Sequence, residues 1–335
     1  MRIAQVLASD GDGGLEKHVR ELTIDLAQLG HEISVLASPH FLHTLPATIH
    51  KIPIAMSRHR RHPVLLWQIW RALRLLKPDI VHAQANKAVS LLSFLRPWLP
   101  MPFIGTLHNL KRQTAAFSQM HQVICVSHAL AKTVKDFNPT VIYNGIEQNF
   151  TTQAFQFAES LQKGKPVLCA IGRLVEAKGF DLLLDAVDGL VVNLVIAGDG
   201  LQRQMLAQRI QQMHPDTHVI LLGHCDNVVG LMRECDGVVI ASRREGFSYV
   251  LNEALLTETC VIATDVPIAN EVLPNALIVP LENVDALRNT IQRCLADLPR
   301  WRDAMQPAFA FAQHQLTRTR MTNETAALYQ TLINK

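Results

Sequence analysis

Gly237-Val238-Val239-Ile240-Ala241-Ser242-Arg243-Arg244-Glu245-Gly246-Phe247-Ser248-Tyr249-Val250-Leu251-Asn252-Glu253 passes from an apolar run through a polar turn into a helical pattern. Gly237–Ala241 is strand-sized and rich in β-branched residues, and Glu245-Gly246 supplies the turn after it. A helix then begins near Ser248, whose oxygen can accept from the orphan N–H groups of a first turn. Strand, turn and helix in that order form the repeating unit of a parallel sheet with crossover helices.

The same unit recurs along the rest of the chain. Before the midpoint, strands read at Ile3–Ala8, Glu32–Ala37, Ile80–Ala85, Phe103–Leu107, Gln122–Val126 and Thr140–Tyr143. Helical patterns fall near Leu15–Leu29, Val64–Leu76, Ala88–Leu95 and His128–Phe137. Ile146–Gly164 has no strong pattern and reads as a linker. The alternation restarts with strands at Val167–Ile171, Leu194–Ala197, Val219–Leu222, Gly237–Ala241, Cys260–Ala263 and Leu277–Val279.

At 335 residues the chain exceeds what one core usually supports. The expectation is α/β: two Rossmann-like, doubly wound parallel-sheet domains, residues 1–150 and 165–314, with ligands at strand C-terminal ends in a cleft between them. Residues 315–335 read as a helix packing back toward the first domain, after a break near Gln315-Leu316.

Hydrophobic residues make up 48% of the chain and charged residues 18%, an ordinary globular balance. No apolar run approaches the roughly 20 residues of a membrane span. Met1-Arg2-Ile3 enters a strand directly, without the pattern of a signal peptide, so the expected location is the cytoplasm. The six cysteines have no C-x-x-C pair and no metal-ligand spacing, and read as reduced. Charge is uneven: residues 1–150 carry 16 Lys+Arg against 9 Asp+Glu, and residues 151–335 carry 16 against 20. The basic half is expected to face something anionic.

The chemistry concentrates at strand ends. A helix starting at Ser248 points its N–H groups and positive dipole end outward, a phosphate site flanked by Glu245 and Glu253, which can accept from sugar hydroxyls. Arg173 and Lys178, in Gly172-Arg173-Leu174-Val175-Glu176-Ala177-Lys178-Gly179, suit a diphosphate. Gly198-Asp199-Gly200 ends the next strand in a tight turn.

In this combination the second half resembles glycosyltransferase family 4, which has the GT-B fold. The resemblance implies that Glu253 binds the donor ribose and Glu245 the donor sugar. It places Arg173 and Lys178 on the diphosphate, helped by Gly246 and the amides of Phe247, Ser248 and Tyr249. The family often has Gly where Ser248 stands, a benign change at a helix start. In the first half, Gly11-Asp12-Gly13-Gly14-Leu15-Glu16-Lys17-His18 matches the family's G-G-x-E-x-H loop, with Gly13 and Gly14 allowing close backbone approach. Thr106-Leu107-His108-Asn109 ends a strand where the family often has a His near the reacting carbon. Tyr143-Asn144-Gly145-Ile146 resembles the family's N-G-[VI]-[DE] element, and His18, Asn109 and Asn144 are the acceptor-side candidates.

The resemblance implies transfer with retention from a nucleotide-sugar donor, a UDP-sugar first, with no cofactor and no metal. Glu245, His108, Arg173 and Lys178 are the catalytic candidates. No side chain declares itself a covalent nucleophile, which favours front-side displacement assisted by the departing phosphate. A dinucleotide loop fails because residue 16 is Glu, and Asp10-x-Asp12 lacks a companion acidic cluster for a metal. A glycoside-hydrolase pair would leave Arg173 and Lys178 unused. A non-catalytic sugar-nucleotide-binding subunit on the same fold remains the alternative.

Arg58-His59-Arg60-Arg61-His62 followed by Trp67 and Trp70 reads as an amphipathic helix with a basic flank, over residues 58–77. Such a segment suits an anionic membrane surface, and with it a lipid-linked acceptor in lipopolysaccharide or cell-envelope glycan synthesis. No basic stripe with stacking aromatics continues beyond it, which argues against nucleic acid.

Overall fold

A seven-stranded, wholly parallel sheet organises the first part of the chain in the computed structural model, which describes residues 1–11, 13–148, 153–157 and 161–334. Its strands are β1 (Arg2–Leu7), β2 (Glu32–Ala37), β3 (His50–Pro53), β4 (Ile80–Gln84), β5 (Phe103–Leu107), β6 (Gln122–Cys125) and β7 (Thr140–Val141). They lie in the order β3-β2-β1-β4-β5-β6-β7. β1, β4 and β5 are buried along nearly their whole length, which is why they read as continuous apolar runs.

A second, six-stranded parallel sheet holds β8 (Val167–Ile171), β9 (Val192–Ala197), β10 (Thr217–Gly223), β11 (Gly237–Ile240), β12 (Val261–Thr264) and β13 (Ile278–Val279). The order β10-β9-β8-β11-β12-β13 repeats the doubly wound pattern of the first sheet. Each sheet therefore reverses direction once, beside β1 in one and beside β8 in the other, and such a reversal opens a crevice at the strand C-termini.

The chain divides into two compact units, residues 1–145 with 317–335, and residues 146–316. The second unit begins well before residue 165, because the patternless stretch is tied to it. Gln162 and Asn193 exchange two hydrogen bonds, and Asn227 donates to the Gln153 carbonyl at 3.0 Å. Residues 149–152 and 158–160 of that stretch, and Asp12 of the Asp10-x-Asp12 pair, lie outside the described residues.

The C-terminal segment returns to the first unit. Helix Leu298–Gln315 stops at Leu316, and Thr317 caps the next helix, Arg318–Ile333, by accepting from Arg320 N. Arg318 clamps Asp25 of the first helix, Gly14–Gln28, with both nitrogens of a bidentate pair. Met321 and Tyr329 join the core of Ile3, Leu22 and Leu26. Gly145 lies against this return: a Cβ there would sit 2.1 Å from the Thr317 carbonyl oxygen, so the position admits only glycine without backbone movement.

β3 escapes the sequence pattern because His50-Lys51-Ile52-Pro53 is a short, half-exposed edge strand with little apolar content. Helix Pro63–Leu76 buries Leu65, Ile69 and Leu73 at helical spacing. Trp67 stays 53% exposed, with the Arg71 guanidinium 5.3 Å from its ring centroid, and Arg74 lies 5.7 Å from that of Trp70. Among the described residues no helix is long and apolar enough to cross a membrane.

Candidate functional site

In the second unit, the ends of β8, β9 and β11 carry the candidate donor residues. Lys178 reaches from the 3-10 turn Glu176–Lys178 and donates from Nζ to Glu245 Oε1 at 2.5 Å. Ser242 Oγ donates to the same oxygen at 2.8 Å. Glu245 Oε2 has no partner among the described residues, so one acceptor oxygen of a nearly buried carboxylate stays available. Ser248 caps helix Tyr249–Leu256 by accepting from Leu251 N, and Lys178, Glu245 and Ser248 line one small cavity of about 10 Å³. Phe247 and Tyr249 meet edge to face at 5.6 Å, framing the helix start. Glu253 stands half-buried in the second turn.

Arg173 is exposed just after β8 and makes no ion pair or hydrogen bond through its side chain among the described residues. The neighbouring turn is locked against it: Leu174 N donates to the Asp199 carbonyl and Gly172 N to that of Ala197. Gly198, at φ +142°, would place a Cβ 1.9 Å from the Gly172 carbonyl oxygen. Only glycine allows the β8 and β9 turns to approach this closely. Lys178 and Glu245, assigned by resemblance to diphosphate and sugar, thus start as an ion pair, and Arg173 is a cation left open to an anion.

Arg243 organises this site and was not singled out from sequence. Its guanidinium binds Asp181 through two hydrogen bonds of 2.8 and 2.7 Å, donates to the Glu176 carbonyl at 2.9 Å and reaches Glu282 at 3.1 Å. It ties the turn carrying Lys178 to the loop carrying Glu245. The Arg243 hydrogen bonds hold the Asp181 carboxyl below the usual aspartate range. The signal was an Arg-Arg pair inside the loop, which reads equally as diphosphate contact. Thr264, ending β12, donates to the Ser242 carbonyl at 2.6 Å and supports the same loop from below. Beyond it Ile268 is fully buried with φ +72°, a strained conformation for a β-branched residue.

In the first unit, Gly13 and Gly14 open the first helix, and Gly13 N donates to Glu16 Oε2 at 2.9 Å while Ser9 Oγ donates to Glu16 Oε1. Glu16 therefore pins the glycine loop from the third helical position. That spacing, G-G-x-E, was the signal that could have marked it as a site residue. His18 is buried against His108, ring centroids 4.7 Å apart and nearly perpendicular. Neither nitrogen of His18 has a partner among the described residues, and burial lowers its pKa to about 4. Burial and the neighbouring His18 and His82 hold His108 well below the usual histidine range, so both rings are neutral near pH 7. Asn109 is exposed beside His108, and Asn144 is buried at the other end of the sheet's strand series.

Near the ends of β4 and β5 lies an open pocket of about 520 Å³, lined by Arg60, Asn86, Arg112, Gln113, Phe117 and Phe137. Arg60 and Arg112 make no ion pair among the described residues. The pocket combines two open guanidiniums, amide groups and an aromatic floor. Among the described residues no group of three or more His, Cys, Asp or Glu side chains could hold a metal ion.

Two doubly wound parallel units, with an open guanidinium and a helix start at the strand ends of one, define the GT-B class of glycosyltransferase folds. Residues 12–150 match the family model described as Glycosyltransferase Family 4, and residues 151–307 that described as Glycosyl transferases group 1. The chain belongs to glycosyltransferase family 4. An uncharacterized glycosyltransferase of Methanocaldococcus jannaschii is 28% identical over 220 residues, a match spanning 59% of this chain and 60% of that relative's length. A phosphatidyl-myo-inositol mannosyltransferase of Mycobacterium tuberculosis is 27% identical over 85% of this chain and 83% of its own. Among solved structures, Anabaena HepE in complex with UDP superposes with a TM-score of 0.83 at 19% identity, over 99% of this chain and 100% of that one. At that identity the likeness speaks for the fold.

Proposed function

We propose that this protein is a retaining glycosyltransferase that moves a sugar from a nucleoside-diphosphate donor, a UDP-sugar first, to an anionic glycan or lipid-linked acceptor, without a catalytic metal. The observation that carries the donor half is the Lys178–Glu245 pair at the Ser248 helix start, with the open guanidinium of Arg173 on the same β8-end segment as Lys178. UDP and UDP-glucose are bound by Anabaena HepE, a fold neighbour, which supports the choice of donor.

As the anomeric C1–O bond breaks, its electron pair leaves with the nucleoside diphosphate. Arg173, Lys178 and the amides at the Ser248 helix start stabilise that charge, each well-placed donor contributing on the order of 3 kcal/mol. The acceptor oxygen bonds to C1 on the same face, and its proton passes to the departing phosphate. Glu253 accepts from the ribose hydroxyls and the free Oε2 of Glu245 from a hydroxyl of the sugar. His108, neutral at pH 7, accepts from a hydroxyl near the reacting carbon without adding charge.

The acceptor half rests on the first unit. Arg60 and Arg112 at the mouth of the 520 Å³ pocket suit a phosphate or carboxylate, and Phe117 and Phe137 suit the flat face of a sugar ring. The face of exposed Trp67, Arg71 and Arg74 with half-buried Trp70 suits an anionic membrane, with a cell-envelope glycolipid such as growing lipopolysaccharide as acceptor. The mycobacterial relative is itself named for an inositol phospholipid.

The deciding experiment screens nucleotide sugars by thermal shift and donor hydrolysis with EDTA present, comparing wild type with Glu253→Ala and Lys178→Ala. One donor should stabilise the protein and hydrolyse slowly, and both variants should lose that response. Silence toward every nucleotide sugar would sink the reading. Binding without turnover, in the presence of candidate acceptors, would leave the non-catalytic subunit.

A further inference from the structure

A line of buried hydrogen bonds runs from His108 to the far end of the sequence, with one side branch where Gln84 Nε2 also lies 3.3 Å from His82 Nδ1. His108 Nε2 lies 2.9 Å from Gln84 Oε1, and Gln84 Nε2 donates to Gln5 Oε1 at 2.9 Å. Gln5 Nε2 donates to the Tyr329 hydroxyl at 3.1 Å. That hydroxyl lies 2.5 Å from His82 Nδ1, and His82 Nε2 lies 2.6 Å from Thr106 Oγ1. Gln5, His82, Gln84, Thr106, His108 and Tyr329 are all 5% exposed or less. β1, β4 and β5 stand side by side, with Gln5 opposite His82 and Gln84 opposite Thr106, His108 follows β5 directly, and Tyr329 closes the line from helix Arg318–Ile333.

The line has a direction. Tyr329 accepts from Gln5, so its own proton finds an acceptor at His82 Nδ1, and His82 then donates from Nε2 to Thr106. In the other direction, Gln5 Oε1 accepts from Gln84, whose Oε1 must accept from His108. His108 is thereby fixed with its proton on Nε2, and Nδ1, bonded to nothing among the described residues, keeps its lone pair. The opposite tautomer would set two lone pairs against each other unless both buried amides flipped together. Ala85, directly after Gln84, holds φ +65°, a strained conformation at the point where β4 turns into the next helix.

We propose that Tyr329 is a positioning residue for His108: its phenol anchors the line through Gln5 and Gln84 that holds the ring in one orientation and one tautomer, with Nδ1 presented as an acceptor for a substrate hydroxyl. The assignment of His108 to the reaction rests on the transferase reading, but the tautomer does not. The C-terminal helix is then part of the working site as well as of the core.

The test records ¹⁵N-edited imidazole spectra of the whole protein, with His108 assigned by its loss in His108→Gln. Wild type should show one tautomer, protonated on Nε2. Tyr329→Phe and Gln5→Leu, which cut the line at different points, should both show an averaged pair of tautomers. With the nucleotide sugar found by the donor screen as probe, both should lose roughly tenfold in kcat while KM for the donor stays within about twofold. Thr322→Val removes a different hydrogen bond of the same helix, to Asp25, and should leave spectrum and kcat unchanged. A wild-type His108 signal retained in Tyr329→Phe and Gln5→Leu overturns the proposal, as does loss of the tautomer in Thr322→Val. A tautomer change in a protein that hydrolyses no nucleotide sugar supports the positioning role and overturns the transferase reading instead.

Discussion

Glu245 and Lys178 occupy each other before any donor arrives, and this sets the sign of what their replacement should do. An incoming diphosphate must compete with the Glu245 carboxylate for the Lys178 ammonium, at 2.5 Å in the free protein. Lys178→Ala removes a phosphate contact and should weaken UDP binding by about 2 kcal/mol, some 30-fold in Kd. Glu245→Gln frees the ammonium, so UDP should bind about two- to fivefold more tightly, the worth of a partly exposed pair. The same variant loses a carboxylate acceptor for the sugar, so binding of the intact donor should weaken and turnover fall. Calorimetry with UDP and with the intact donor separates the two signs, and weaker UDP binding in Glu245→Gln would contradict the competition.

The buried histidines make a second prediction at this scale. Burial lowers His18 to about 4 and His82 to about 3, and lowers His108 also, against about 6.5 in an unfolded chain. Between those values the unfolded chain binds protons that the folded one does not, so stability falls as pH falls. The stabilisation is complete above pH 6.5 and is lost progressively from there toward pH 4. Each histidine contributes a slope of about 1.4 kcal/mol per pH unit in that window. Urea midpoints measured from pH 7 to 5 should drop steeply, and His18→Gln should flatten the drop by about one histidine's share.

At the scale of elements, the loop after β11 is only as well placed as its clamp. Arg243→Lys keeps the charge but cannot bridge both Asp181 oxygens and the Glu176 carbonyl at once. It should cost about 2 kcal/mol of stability and loosen the turn bearing Lys178. UDP affinity should then fall about tenfold through that turn, since the Arg243 guanidinium is committed to Asp181, Glu176 and Glu282, and an unchanged Kd would remove Arg243 from the site. This clamp shows where sequence reading ends. The strand, turn and helix of Gly237–Glu253 were legible because burial on both faces forces an apolar run and Ser248 marks the helix start. Glu245 and Lys178 were legible as residue types at strand ends. Their mutual pairing was not, because it joins positions 67 apart in sequence. The line from Tyr329 to His108 was hidden for the same reason: its members sit on different strands and on the last helix, with no local period to reveal them. β3 was missed because an edge strand need not be apolar.

At the scale of the whole molecule, charge and exposed aromatic surface fall on the same part of the chain. Residues 1–150 hold an excess of seven basic charges, 16 against 9, while residues 151–335 hold an excess of four acidic ones, 16 against 20. Helix Pro63–Leu76 adds an outward face of Val64, Trp67 and Leu75, exposed by 44%, 53% and 73%. Tryptophans beside arginines partition to a headgroup region, and each basic side chain near an anionic surface adds about 1 kcal/mol. With Arg58, Arg60, Arg61, Arg71 and Arg74 on this segment, the protein should float with vesicles containing phosphatidylglycerol and stay behind with pure phosphatidylcholine. Salt at about 0.5 M should release most of it, since screening acts over a few ångströms at that ionic strength. Trp67→Ser with Arg71→Ser and Arg74→Ser leaves Leu65, Ile69 and Leu73 in the core, so the fold should hold while vesicle binding falls at least tenfold. If that triple variant floats like wild type, the face is ordinary solvated surface, and the acceptor must be reached in solution.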